Sequence, residues 1–138
     1  MKIDGSCHCG FLTFQAEVDP AKVEVCHCSD CQKLSGSAFR VIAPTEPGTF
    51  RLLTGVPKTY VKTADSGKKR VQAFCPHCGT SIYGAPYVEG ATAKPQVVGL
   101  RVGTVTQRAQ LAPKAQFWTR SRLAWMKTVN DLTEHAAE

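Results

Sequence analysis

The stretch CHCSDC at residues 26–31 places three thiols, those of Cys26, Cys28 and Cys31, within six positions. Thiolate sulfur is a preferred ligand of zinc, and closely spaced thiols let one short turn offer several sulfurs to one ion. This spacing is typical of a metal-binding turn. It predicts that the segment is the chemical centre of the fold.

The residues around this turn indicate how it is held. Residues 22–28 alternate in polarity, which predicts a strand with the first two thiols on one face and His27 on the other. The run over residues 29–34 then predicts one helical turn with Ser29 as its N-cap. Such a turn would fold the third thiol back towards the second.

Two further thiol pairs lie elsewhere in the chain, in CHC at residues 7–9 and CPHC at residues 75–78, and they bring the total to seven cysteines. Structural zinc sites are closed by four protein ligands, whereas catalytic sites usually keep three and leave the fourth position to water or substrate. Seven thiols divide as four plus three. The count therefore predicts two Zn²⁺ ions per chain, one structural and one catalytic.

The thiols can be grouped in two ways. One grouping encloses a structural ion with Cys7, Cys9, Cys75 and Cys78 and leaves an open ion on Cys26, Cys28 and Cys31. The other forms a ribbon from the CxxC pairs at residues 28–31 and 75–78, across a gap far longer than the roughly 15–20 residues typical of a ribbon. The first grouping is favoured because the three clustered thiols can reach one ion without help.

Thiols can also serve purposes that do not involve zinc, and these are less favoured here. An iron–sulfur cluster could use the same ligands, and a disulfide framework or simple burial are further alternatives. The odd count and the absence of an export signal argue against disulfides. The three histidines His8, His27 and His77 lie between paired thiols, so we expect them to point away from the metal.

Length and composition predict a single domain over residues 1–138, with 43% hydrophobic residues in a chain of 138. No apolar run approaches the roughly 18 residues of a membrane span, and the first residues lack the apolar segment of a signal peptide. We therefore expect a cytoplasmic protein without a membrane partner. Reducing conditions there favour metal binding over disulfides. The sequence leaves the oligomeric state open.

Short alternating segments between closely spaced turn signals predict a mainly β fold of several short antiparallel strands. A short C-terminal helix is expected over residues 125–132 and a loop over residues 85–95. Gly5 and Gly10 bracket the first CHC turn, where we expect positive φ angles. Strands are predicted near residue 3 and over residues 12–18, 22–28, 39–43, 50–54, 58–63, 71–74, 79–83, 96–105 and 116–118.

The formal charge of +6 arises mainly in the second half of the chain. A basic surface can attract an anionic small molecule or contact a nucleic-acid backbone, and it can also be merely solvated. The chain has no long basic run, because Lys68, Lys69 and Arg70 lie at an expected hairpin tip. Nucleic acid is therefore the weaker of the partner hypotheses.

A zinc ion on three thiolates carries one net negative charge, so it is a weak Lewis acid. It is better suited to exchanging its fourth ligand for a substrate thiolate, which stays nucleophilic after losing its proton. The expected partners are therefore a small thiol and an electrophile that reacts with it.

The cysteine segments resemble those of the glutathione-dependent formaldehyde-activating enzyme family, also called the centromere-protein-V-like family. The similarity extends over nearly the whole chain. The matching segments are Gly5–Gly10, Cys26–Cys31, Ser35–Ser37 with Phe39, Phe74–Thr80, and Phe117–Arg122 with Trp125.

This resemblance implies a zinc-stabilised, β-tent-like fold. It implies that Cys7, Cys9, Cys75 and Cys78 hold the structural zinc and that Cys26, Cys28 and Cys31 hold the active one. It also implies the family's reaction, in which glutathione condenses with formaldehyde to S-(hydroxymethyl)glutathione, the reverse of a carbon–sulfur lyase step.

The leading functional hypothesis is therefore a zinc-dependent carbon–sulfur lyase that adds a small, glutathione-like thiol to a formaldehyde-like aldehyde and reverses the reaction. Ser35 and Ser37 are candidate donors to the developing alkoxide. Arg120 and Arg122 are candidate anchors for substrate carboxylates. The alternative is a zinc-stabilised module that binds nucleic acid or protein without turnover.

Overall fold

Alternating side chains shape the first two strands, as the sequence predicts: in each, every second residue is buried and its neighbours face outward. The computed structural model describes residues 1–87, 89–90 and 94–137. No helix in these residues is long and apolar enough to cross a bilayer. The described strands are β1 Lys2–Ser6, β2 Thr13–Glu17, β3 Glu24–Cys26, β4 Arg40–Pro44, β5 Arg51–Thr54, β6 Lys58–Thr63, β7 Lys69–Phe74, β8 Ser81–Pro86, β9 Gly99–Arg101 and β10 Ala115–Phe117.

Helical structure is short. One α-helix, α1, spans Ser29–Ser35. The 3₁₀ helices of the described chain are Pro20–Lys22, Val102–Thr104, Arg108–Gln110, Thr119–Ser121 and Ala124–Asp131. The expected C-terminal helix is thus present as a 3₁₀ helix.

The strands form two sheets, which confirms the mainly β prediction. The smaller sheet has the order β1-β2-β5, and the larger has the order β10-β3-β4-β9-β8-β7-β6. Neighbouring strands are antiparallel except for β10, which runs parallel to β3. That exception brings the C-terminal segment back beside β3, with Phe117 in register with Cys26.

The hydrophobic core lies between the two sheets. Phe14 from the smaller sheet and Leu100 from the larger are both fully buried. Phe50 joins them, because its ring lies 6.0 Å from that of Phe14 and 5.0 Å from that of Tyr83 on β8. The cysteine sites therefore rest on elements that share one core.

Several predicted elements need correction. The strand expected over residues 96–105 is confined to β9 and gives way to a 3₁₀ helix at Val102. The loop expected over residues 85–95 begins later, because Ala85 and Pro86 belong to β8. Residues 88 and 91–93 of that loop lie outside the described part.

The glycines of the first CHC turn serve two different needs. Gly10 has the expected positive φ, at 78°. Gly5 does not have a positive φ, so the prediction that this position needs glycine for its backbone angle was wrong. A Cβ there would lie 2.3 Å from the Thr104 carbonyl oxygen and 2.4 Å from the Phe14 ring. Gly5 is therefore required because no side chain fits between β1 and the core.

We expect Gly5→Ala to lower the free energy of unfolding by about 1–3 kcal/mol or more, because the added methyl group meets backbone and a packed ring. Gly103→Ala is the matched control, since its Cβ would meet nothing within 4 Å. Urea unfolding of both variants tests this. Equal stability of the two variants would contradict the packing argument.

Candidate functional site

Four sulfurs converge where the two sheets meet. The sulfurs of Cys7, Cys9, Cys75 and Cys78, which we call the quartet, all lie within 4.8 Å of one another. Cys9 Sγ lies 3.6 Å from Cys7 Sγ and 3.7 Å from Cys75 Sγ. Four sulfurs at about 2.3 Å from a tetrahedral zinc would be separated by about 3.8 Å. The quartet therefore has the size and donor set of a closed zinc site.

Two similar turns present the quartet. One follows β1 and is closed by a hydrogen bond from the Gly10 amide to the Cys7 carbonyl, at 3.1 Å. The other follows β7 and is closed from Gly79 to Cys75, at 3.0 Å. Both closing glycines have positive φ, which a residue with a Cβ rarely adopts. Each turn directs two sulfurs to the same point.

A second sulfur group, the trio of Cys26, Cys28 and Cys31, lies at the end of β3 and the start of α1. Its three sulfurs also lie within 4.8 Å of one another. Across the described residues, no other cysteine, histidine or carboxylate joins them. The trio can therefore hold a metal ion and leave one coordination position free.

The N-cap of α1 differs from the sequence prediction. Cys28, not Ser29, occupies the cap position, and its sulfur accepts a hydrogen bond from the Cys31 amide at 3.3 Å. With a cysteine in place of the usual serine or threonine at the cap, the sulfurs of Cys28 and Cys31 lie within 4.8 Å of each other. The helix start thus fixes the spacing of the trio.

Neighbouring donors prepare one thiol of each group to ionise. The nearby Cys31 thiol, against the opposing effect of burial, lowers the pKa of Cys26 to about 5. The same interaction raises the pKa of Cys31. In the quartet, the Thr80 hydroxyl lowers the pKa of Cys78 to about 5. These shifts favour the ionised form of one sulfur in each group, and the thiolate is the form that binds a metal ion.

The histidines between the thiols join neither the quartet nor the trio as possible metal ligands. His27 is buried, and its Nε2 lies 2.9 Å from Gln116 Oε1 on β10. His77 is exposed and packs against Phe11, with ring centroids 4.0 Å apart. His8 is exposed as well. These positions agree with the expectation that the rings point away from the metal.

The trio opens onto a cleft of about 600 Å³. Strands β3 and β6 are five places apart in the larger sheet, which is about 24 Å in a flat sheet. Yet Lys62 of β6 forms an ion pair with Asp30 of α1. The sheet must therefore curl strongly, and the β6–β7 hairpin becomes the cleft wall opposite the trio.

The floor of the cleft carries two buried arginines that the sequence patterns did not indicate as site residues. Arg40 is 5% exposed and Arg101 is 8% exposed. Burial lowers the pKa of both side chains, that of Arg101 to about 9, so both remain charged at neutral pH. The available signal for Arg40 was its place as a single arginine at the start of the otherwise apolar strand β4.

The structure does not support the serines predicted as hydrogen-bond donors to the alkoxide. Ser35 donates to backbone carbonyls of Gln32 and Phe39, each at 3.3 Å, and neither Ser35 nor Ser37 lines the cleft. Helix α1 ends there, at the far side from the trio. These serines are therefore not placed to stabilise an alkoxide.

The C-terminal segment supplies one predicted wall residue. Arg120 lines the cleft, and its guanidinium lies 4.8 Å from the centre of the Trp118 ring, whereas Arg122 does not line it. Trp118 also adopts a positive φ of 58°, a strained conformation for a bulky residue. This conformation turns the chain at Trp118, and both Trp118 and Arg120 line the cleft.

Fold and site together define a β protein with one closed and one open group of thiols, the open one facing a basic cleft. The family model for glutathione-dependent formaldehyde-activating enzymes matches residues 2–121. The chain belongs to this family.

One protein is similar to this chain in sequence and another in fold. An uncharacterized lyase of Schizosaccharomyces pombe is 29% identical over 87 residues, a match that covers 63% of this chain and 59% of the lyase. A crystal structure of a Rhodobacter sphaeroides protein superposes with a TM-score of 0.59 at 19% identity, covering 82% of this chain and 98% of that one. The second likeness shows the fold alone.

We expect the two groups to respond differently to the loss of one thiol. Cys78→Ser should remove one metal equivalent and lower the melting temperature markedly, because the quartet joins distant turns. Cys28→Ser should remove one equivalent and leave the fold intact. Metal analysis with thermal unfolding checks both variants. A stable Cys78→Ser protein with unchanged metal content would contradict the quartet site.

Proposed function

We propose that this protein catalyses the reversible addition of a small thiol to an aldehyde, with zinc in both sulfur groups. The preferred substrates are a glutathione-like thiol and formaldehyde, so the product is an S-(hydroxymethyl) thioether. The observation that carries the proposal is the three-thiol group with an open position facing a cleft. The family membership supports the same chemistry.

The reaction is balanced without an oxidant or reductant. The substrate thiol gives up its proton, its sulfur forms a bond to the aldehyde carbon, and the carbonyl oxygen gains a proton. The reverse reaction breaks the carbon–sulfur bond and is a lyase step. When bound at the trio, zinc would keep the substrate sulfur deprotonated at neutral pH.

The chain's own residues contribute placement and charge. Cys26 and Arg40 are in register on β3 and β4, so their side chains extend from the same face of the sheet as neighbours. The arginine thereby offsets the negative charge of the thiolates. The ion pair between Lys62 and Asp30 holds the hairpin wall against α1, opposite the trio.

A reducing compartment such as the cytoplasm suits this proposal. All seven cysteines, each within the described residues, are free thiols. Oxidation of the trio to a disulfide would remove two ligands at once. The proposed activity therefore requires conditions that keep thiols reduced.

We expect Cys28→Ser to abolish the enzymatic part of the thiol–aldehyde exchange, because it leaves the trio one sulfur short. Since the addition also occurs without a catalyst, ¹³C exchange spectroscopy with labelled formaldehyde and glutathione should measure the rate above that background.

The matched control is Ser37→Ala, an exposed position outside the cleft, which should retain the wild-type exchange rate. Exchange at the wild-type rate in a folded Cys28→Ser protein would reject the role of the trio. A loss of rate in Ser37→Ala would show that the assay reports general damage to the fold.

A further inference from the structure

Two guanidinium groups lie side by side on the cleft floor without an acidic partner. Gln72 Oε1 accepts a hydrogen bond from Arg40 Nη1 at 3.1 Å and from Arg101 Nη2 at 2.7 Å. In the described part of the chain, no carboxylate lies within 4.0 Å of either arginine. A neutral amide thus occupies the position where a counter-charge would be expected.

Each arginine also has one buried nitrogen that donates no hydrogen bond within the described residues. Arg40 Nη2 and Arg101 Nε are buried and have no hydrogen-bond acceptor within the described residues. A buried charged donor without an acceptor costs free energy, on the order of 1–3 kcal/mol or more. A fold that carries two such donors at a cleft therefore points to an acceptor supplied from outside.

The sheet is shaped to hold these groups. Gln72, Gly84 and Gly99 are in register across β7, β8 and β9, so two neighbouring positions of the floor carry no side chain. A Cβ on Gly84 would lie 2.7 Å from Arg101 Nη2 and 3.3 Å from Gln72 Nε2. The missing side chain lets the Arg101 guanidinium lie flat on the floor.

The thiolates of the trio do not balance this charge in full. Zinc with three thiolates carries one negative charge, and the two arginines carry two positive charges, which leaves one positive charge over. The acidic residues of the cleft lining are Glu24, Asp30 and Asp65, and Asp30 is already paired with Lys62. The basic residues Lys68, Arg70 and Arg120 add further positive charge to the lining.

We propose that Arg40 and Arg101, aligned by Gln72 over Gly84, form a binding site for a carboxylate of the substrate. A planar guanidinium presents paired N–H groups that match the two oxygens of a carboxylate. The site lies beside the trio, so one molecule can place its sulfur at the trio and its carboxylate on the arginines. This inference deepens the proposed function and rests on it for the identity of the thiol.

Three matched ligands separate the two contacts. 3-Mercaptopropionate carries a thiol and a carboxylate, propionate carries the carboxylate alone, and 2-mercaptoethanol carries the thiol alone. We expect the zinc-loaded protein to bind 3-mercaptopropionate at least about tenfold more tightly than 2-mercaptoethanol, the effect of one charge-assisted contact. Propionate should bind weakly and shift the Nε–Hε resonance of Arg101 in NMR spectra.

Gln72→Glu provides the decisive variant. The new carboxylate would take the place of the ligand and pair with both arginines. We expect a higher melting temperature than that of the wild type, loss of propionate binding, and loss of the preference for 3-mercaptopropionate. Affinity for 2-mercaptoethanol should be unchanged.

Gly84→Ala tests the site without altering charge, because the added methyl group displaces the Arg101 guanidinium. It should weaken propionate binding several-fold, whereas Gly103→Ala should not. Propionate binding that is absent in the wild type, or unchanged in both Gln72→Glu and Gly84→Ala, would overturn the carboxylate site. Binding of propionate without any binding of 2-mercaptoethanol would reject the thiol at the trio and leave the carboxylate site standing.

Discussion

The convergence of four thiols on one point is the constraint that orders the whole molecule. The turns that carry them follow β1 and β7, which belong to different sheets. Cys7 and Cys75 are buried at this junction, while Cys9 and Cys78 face solvent. Such a junction orders the two sheets relative to each other without requiring a large core, which suits a chain of 138 residues.

The curl of the larger sheet creates the cleft. The smaller sheet and the core cover one face of the larger sheet, and the opposite, concave face is left to the trio and the arginines. The glycines at positions 84 and 99 keep this concave face open. The quartet and the trio thus lie in different parts of the fold, so that one group can be closed by four sulfurs while the other faces the cleft.

Charge gives the cleft its chemical character. Buried arginines normally require paired acids, because removing a charge from water is costly. Here the thiolates of the trio supply part of the compensation, and one of them, Cys26, lies directly opposite Arg40 on the neighbouring strand. The positive charge that compensates the thiolates of the trio would also attract anionic molecules to the cleft. Affinity for an anionic thiol would therefore arise from the same electrostatics that stabilise the site.

Local sequence was enough to predict the trio and the mainly β class, and it favoured the quartet without excluding the other grouping of the thiol pairs. Close thiol spacing and turn signals are local properties, so the trio at residues 26–31 and the strand β6 were predicted within their observed bounds. The remaining features depend on how the strands pack in three dimensions. The role of Gly5 and the shared contact of Arg40 and Arg101 with Gln72 depend on contacts between segments distant in sequence. No local pattern encodes those contacts, because they arise from the curl and register of the sheet.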